Sequence, residues 1–253
     1  MYTIELRLDT KGYDEYLEKK FKHGYKLKRA LVNYFNMQEN RRVNSDRYKE
    51  LAGRMQELNT RQDIIKGTKD KGRKKLLKEA YKELSEELKQ GWIELNDSYG
   101  LGNGKFVDYK KLGQASVMYE RYASDGIINW SSFENMAQAT KQGYLKRRKQ
   151  ADSDNTLKVP RYIDFNTLWY RKCNNNITPD GVRFGKRGNY IIFPYIFKGT
   201  DELRFTYALE RQKIAWYGVK RTLDRHNKWL YSVLIVFSEA PYGMPESPIK
   251  QGK

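Results

Sequence analysis

A chain of 253 residues with 49 Lys+Arg against 31 Asp+Glu, a formal net charge of +18, makes one or two domains whose surface attracts polyanions. One cysteine, Cys173, and two distant histidines, His23 and His226, leave no disulfide, no cysteine-based zinc site and no histidine spacing suited to a metal. No signal peptide, apolar run of about 18 residues or basic amphipathic N-terminus is present, so no membrane partner is expected. The expected location is intracellular: cytoplasmic and associated with a prokaryotic nucleoid.

In chain order, Tyr2, Ile4, Leu6 and Leu8 alternate with Thr3, Glu5 and Arg7, the period of a half-buried strand, and Lys11-Gly12 ends it. From Tyr13 to about Gln150 the pattern is helical. Tyr16, Leu17, Phe21, Leu27, Leu31 and Tyr34 recur at three- and four-residue steps over Tyr13 to Met37. Ser45-Asp46 opens a second helix to about Leu58. A third, Arg73 to Leu95, carries the stripe Leu76, Leu77, Ala80, Leu84, Leu88 and Ile93, with Glu79/Lys82 and Glu86/Lys89 one turn apart. Gly100 to Gly104 reads as a flexible loop; it follows a helix and lacks the Gly-Lys-Ser/Thr ending of a phosphate loop. Helices follow around Lys110 to Ala123 and Ser131 to Lys149.

Beyond Pro160, Pro, Gly and Asn separate short aromatic and β-branched runs, which predict strands at Asn176 to Phe184, Asn189 to Phe197, Glu202 to Leu209, Lys213 to Asp224 and Trp229 to Glu239. The last two form a hairpin turning at Asp224 to Lys228. Both faces of Trp229 to Phe237 are largely apolar, which predicts burial on both sides. The segment from Ala240 to Lys253, with three prolines, reads as a linker. A lone first strand needs a sheet to join. The expected fold class is therefore α+β: an OB-like β-barrel over 1–12 and 156–239, a helical block over 13–155 inserted after the first strand, and a linker over 240–253. The alternative is an α domain followed by an unrelated β domain.

No catalytic centre and no cofactor emerge from the residues. Asp9 ends a strand, as a two-metal nuclease carboxylate would, but Asp201, Glu202, Glu210 and Asp224 lie in turns and form no convergent set. Basic and aromatic groups are the stronger signal. Lys141, Lys146, Arg147, Arg148 and Lys149 gather at a helix end, where cations suit both the helix dipole and phosphate. Trp169, Tyr170, Arg171 and Lys172, followed by Asn174, Asn175 and Asn176, combine rings that stack, cations that neutralise phosphate and amides that read base edges.

Lys158-Val-Pro-Arg-Tyr162, the Trp169 to Asn176 segment, the Asn-Asn-Asn-Ile strand entry, the glycine-punctuated strands to Pro194, and the closing hairpin of Val219-Lys-Arg221 and Lys228 to Phe237 carry a family resemblance. The chain resembles the N-terminal half of transposon-encoded RNA-guided nucleases of the TnpB type and their type V CRISPR relatives. The resemblance implies that the strands form a wedge domain and the inserted helices a recognition lobe. Together these would hold the guide RNA scaffold, a motif in the target DNA and the guide–target heteroduplex. By the same resemblance, the Lys141 to Lys149 helix end, Arg161 and Tyr162 would meet the heteroduplex or the motif-bearing duplex. Trp169 to Lys172, Lys220 and Arg221 would face the RNA scaffold. In that family a RuvC-like nuclease begins about where Pro248 to Lys253 stands here, and zinc-ribbon cysteines follow it. Cleavage, with its Mg²⁺, is therefore expected from a RuvC-like nuclease chain or second copy. The alternative function is a guide-independent DNA-binding repressor or transposition accessory protein.

Overall fold

The computed structural model describes residues 1–104, 114–123, 128, 130–154, 165–171, 176–186 and 189–239. Strand β1 (Tyr2–Leu8) is followed by helices α1 (Asp14–Val43), α2 (Asp46–Gly67), α3 (Lys71–Ser98), α4 (Gln114–Ala123) and α5 (Trp130–Asp154). Then come β2 (Thr167–Arg171), β3 (Gly181–Lys186), β4 (Asn189–Ile196), α6 (Asp201–Arg211), β5 (Ile214–Leu223) and β6 (Trp229–Phe237). The fold is mixed α+β, with a curled, antiparallel, six-stranded half-barrel sheet in the order β2-β5-β6-β1-β4-β3. The first strand is central: β1 pairs with β6 from Tyr2↔Phe237 to Arg7↔Ser232 and with β4 at Arg7↔Ile196 and Leu8↔Tyr195. Helices α1 to α5 thus lie between two strands of one sheet in the chain.

The chain forms two compact units, Met1–Lys28, Met118–Ala137 and Arg161–Lys253 in one, Arg29–Val117 and Gln138–Pro160 in the other. In the first, the alternation of β1 works as expected: Ile4, Leu6 and Leu8 are buried while Thr3, Glu5 and Arg7 stay exposed. Every apolar residue turned inward saves about 1.5–3 kcal/mol relative to exposure, so a one-residue slip would be costly. The start of α1 covers this inner face. Phe21 packs on Tyr231, Tyr13 and Tyr16 pack on Phe193, and α6 places Phe205 against Tyr195.

Gly24 sets how closely α1 approaches. A β-carbon there would stand 2.4 Å from the Phe165 ring. Replacing Gly24 with Ala would gain about 1 kcal/mol of helix propensity, against about 1–3 kcal/mol for overpacking. The expected net result is a lower urea midpoint, and an unchanged or higher one would show that Phe165 has room to move.

One reading of the strand region is corrected, and one strand is added to it. Glu202 to Leu209 is not a strand but most of α6. Phe205 and Ala208 are its buried residues, three apart, with Asp201 and Glu202 in the first turn and Arg211 in the last, all favourable to a helix. Thr167–Arg171 is a strand that sequence punctuation does not announce; Leu168 and Tyr170 point inward and Trp169 outward. β6 is covered on both sides, more deeply on one: Tyr231, Val233, Ile235 and Phe237 are buried beside half-buried Trp229, and on the other face Val236 is buried and Leu230, Ser232 and Leu234 are half-buried.

In the second unit, α2 and α3 pack through Leu51, Leu58, Leu84, Leu88 and Leu95, with Tyr48, Tyr81, Trp92 and Tyr99 against them. The buried stripe of α3 sits further along than expected: Leu76 and Ile93 are exposed, and Gly91 and Leu95 take the inner positions. Asp70 caps α3 by accepting from the Arg73 amide at 2.6 Å. Arg54 reaches from α2 to Glu87 with two bonds of 2.7 Å.

Candidate nucleic-acid interface

Strand register builds the outer face of the sheet. Thr167, Trp169 and Arg171 of β2 stand beside Lys220, Gly218 and Trp216 of β5, and these beside Ser232, Leu234 and Val236 of β6. Trp169 and Trp216 are each 39% exposed, with ring centroids 6.4 Å apart and planes inclined by 53°. Gly218 makes room for this pair: a β-carbon there would lie 2.7 Å from Cε3 of Trp169, so the indole rests across bare backbone. The result is an exposed aromatic plate on a rigid strand pair, suited to stacking unpaired bases of any sequence.

Lys220 lies one strand position beyond the plate. Its ammonium donates to both Glu5 oxygens at 3.1 and 3.2 Å, and Ser232 Oγ donates to the same carboxylate at 2.7 Å. A surface pair of this kind is worth only about 0–1 kcal/mol, so a phosphate can compete for the cation. Arg221, next in the strand, points to the opposite, helix-covered side. Its guanidinium lies 4.7 Å from the Phe21 ring centroid and 4.3 Å from that of Trp229. Cation–π packing inside the unit, rather than contact with RNA scaffold, is the role the geometry gives Arg221. Tyr170 is corrected for the same reason. It is buried and stacked on Tyr217 at 4.9 Å, with Asn176 Nδ2 donating to the Tyr217 hydroxyl at 2.9 Å, so no base can reach its ring.

Lys141 to Lys149 do not end their helix as expected: α5 runs on to Asp154 and its last turn carries no basic residue, so the helix dipole does not account for the cluster, which separates into inner and outer members. Lys141 is fully buried and donates to the Gly104 carbonyl at 2.6 Å; it fastens the glycine loop and cannot meet phosphate. Lys146 and Lys149 are exposed. Arg147 and Arg148 are half-buried. Burial holds the Arg147 guanidinium below its usual range, and its Nε and Nη2 have no hydrogen-bond partner among the described residues. The charge of Arg148 acts on Glu39, a buried carboxylate of α1.

Around Glu39 the second unit carries a polar core. Arg42 grips its carboxylate at 2.6 and 2.9 Å, the Tyr144 hydroxyl donates to it, and Tyr144 stacks on Phe35 at 5.9 Å. Burial alone would raise the Glu39 pKa, but the hydrogen bonds from Arg42 and Tyr144 and the charges of Arg42 and Arg148 leave it below the ordinary carboxylate value. Burial, then the hydrogen bond to Glu39, push the Tyr144 phenol far up, so it stays protonated as a donor.

Of the remaining predicted contacts, Arg161, Tyr162, Lys172, Asn174 and Asn175 lie outside the described residues. Arg171 pairs its backbone with Trp216, and its side chain is likewise outside them. The structure therefore keeps Trp169, Lys220, Lys146 and Lys149 accessible. It adds Trp216 and Gly218, which sequence reasoning passed over although an isolated glycine within a strand pattern signals a close approach. Among the described residues no group of three His, Cys, Asp or Glu side chains could hold a metal ion, and no helix is long and apolar enough to cross a membrane. No protein-family model and no curated protein matches the chain.

Proposed function

We propose that the chain is an RNA-guided DNA-binding module, in which the sheet acts as an OB-like wedge and the inserted helices as a recognition lobe. The guide RNA scaffold would lie on the outer sheet face, with the target duplex and heteroduplex against the helices. Cutting is assigned to a RuvC-like nuclease partner and its Mg²⁺. The observation that carries the reading is the Trp169–Gly218–Trp216 plate beside Lys220. An exposed indole pair on a basic protein is a stacking surface with a phosphate-attracting flank. The RNA-guided part rests on the family resemblance, and the net charge of +18 supports a polyanionic partner.

Sequencing the RNA that remains on the purified full chain tests the proposal. A discrete structured RNA is expected, and a random sample of cellular RNA would overturn the guide-binding part. If RNase-treated protein then bound one DNA duplex selectively and without any RNA, the guide-independent repressor or transposition factor would be the better reading.

A further inference from the structure

The second half of α1 exposes a face that differs from those of α2 and α3. Asn33, Asn36, Asn40 and Asn44 succeed one another at helical steps, with exposed Arg29 before them and Arg41 among them. With Met37 and Arg41 they line a shallow groove of about 550 Å³. The only acid between Arg29 and Asn44 is Glu39, which is buried on the other side. Helices α2 and α3, by contrast, mix exposed Glu with exposed Lys and Arg.

The side chains of Asn33 and Asn40 are exposed, and Oδ1 of Asn36 is enclosed with no hydrogen-bond partner among the described residues. Asn44 turns one amide proton back to the Asn40 carbonyl at 2.8 Å. Polar groups able to both donate and accept, bracketed by arginines and free of carboxylates, complement a polyanion that displays hydrogen-bonding edges.

From this face we infer that α1 docks in the major groove of duplex DNA and selects adenine. The inference rests on the nucleic-acid reading above. An amide binds adenine in two places, accepting from N6 and donating to N7. The face has no aromatic ring to hold an unpaired base, so it suits bases that are already stacked. The deep, narrow major groove of duplex RNA excludes a helix, whereas that of B-DNA admits one. From Asn33 to Asn44 the helix rises about 16 Å, which spans about five base pairs.

Fluorescence anisotropy on the full chain tests this with three 20-base-pair duplexes: one containing adenine runs, the same with 7-deazaadenine, and a G·C control, alongside single-stranded RNA. The adenine duplex is expected to bind at least about tenfold more tightly than the other two, from one or two bidentate contacts. Combining Asn33→Ala with Asn40→Ala should erase that preference and leave RNA affinity unchanged, the latter also showing that the variant folds. A wild type without adenine preference, a preference kept by the double variant, or one indifferent to 7-deazaadenine would overturn the inference while RNA binding stands. Lost RNA affinity in a folded double variant would overturn it in favour of RNA on this face. If wild type binds neither RNA nor DNA, the nucleic-acid reading itself falls.

Discussion

Replacing Glu39 with Ala is expected to cost about 3–5 kcal/mol of stability, the usual penalty for removing one member of a buried ion pair. Glu39 is 7% exposed and Arg42 3%, so the variant leaves the guanidinium enclosed without its carboxylate, and the Tyr144 hydroxyl loses its acceptor. Urea unfolding should show a large drop in midpoint. Tyr144→Phe, which keeps the Phe35 stack and removes one hydrogen bond, should lose only about 1–3 kcal/mol. The sign with pH follows from the depressed carboxyl. Its contribution is complete above the ordinary carboxylate range and is lost as pH falls through the lower, folded-state value, where the native state must take up the proton. Wild type should therefore lose stability more steeply on acidification than Glu39→Ala. A loss below about 1 kcal/mol, with parallel pH profiles, would show that the network contributes little.

The second large effect is expected at the aromatic plate. Trp169→Ala should weaken single-stranded RNA binding by about 1–3 kcal/mol, the measured range for one base–aromatic stack, and adding Trp216→Ala should weaken it further. Both rings are 39% exposed, so enough fold stability should remain for affinity to be measured. Gly218→Val is a subtler probe, since its side chain would displace the Trp169 ring while both indoles remain. Affinity unchanged in all three variants, with stability reduced, would reassign the pair to sheet packing.

Both sites show what a sequence makes legible. The alternation over Tyr2 to Leu8 is readable because each second residue enters one core, and the β5–β6 hairpin because Asp224 to Lys228 has turn chemistry, including Asn227 at φ 58°. Helix α6 was hidden by its short length and by aromatic Phe205 and Tyr207, which mimic strand composition. The plate depends on residues 47 positions apart, Trp169 and Trp216, whose proximity is set by the register Trp169↔Gly218. Likewise Glu39 and Arg42 are one turn apart and foreseeable as a pair, but Tyr144 joins them across 105 residues through tertiary packing. Charge clustered along α5 did not separate Lys141, turned inward to Gly104, from Lys146 and Lys149, turned outward. Helical position decides that, and it is known only once the buried face of α5 is known.

Nucleic-acid binding by this chain is the central claim, and a salt titration tests it most directly. Log affinity for single-stranded RNA should fall linearly with log salt, by about 0.7 for each phosphate neutralised, because bound cations release condensed counterions. Several exposed cations acting together predict a slope several times that value, whereas a flat response would contradict the account.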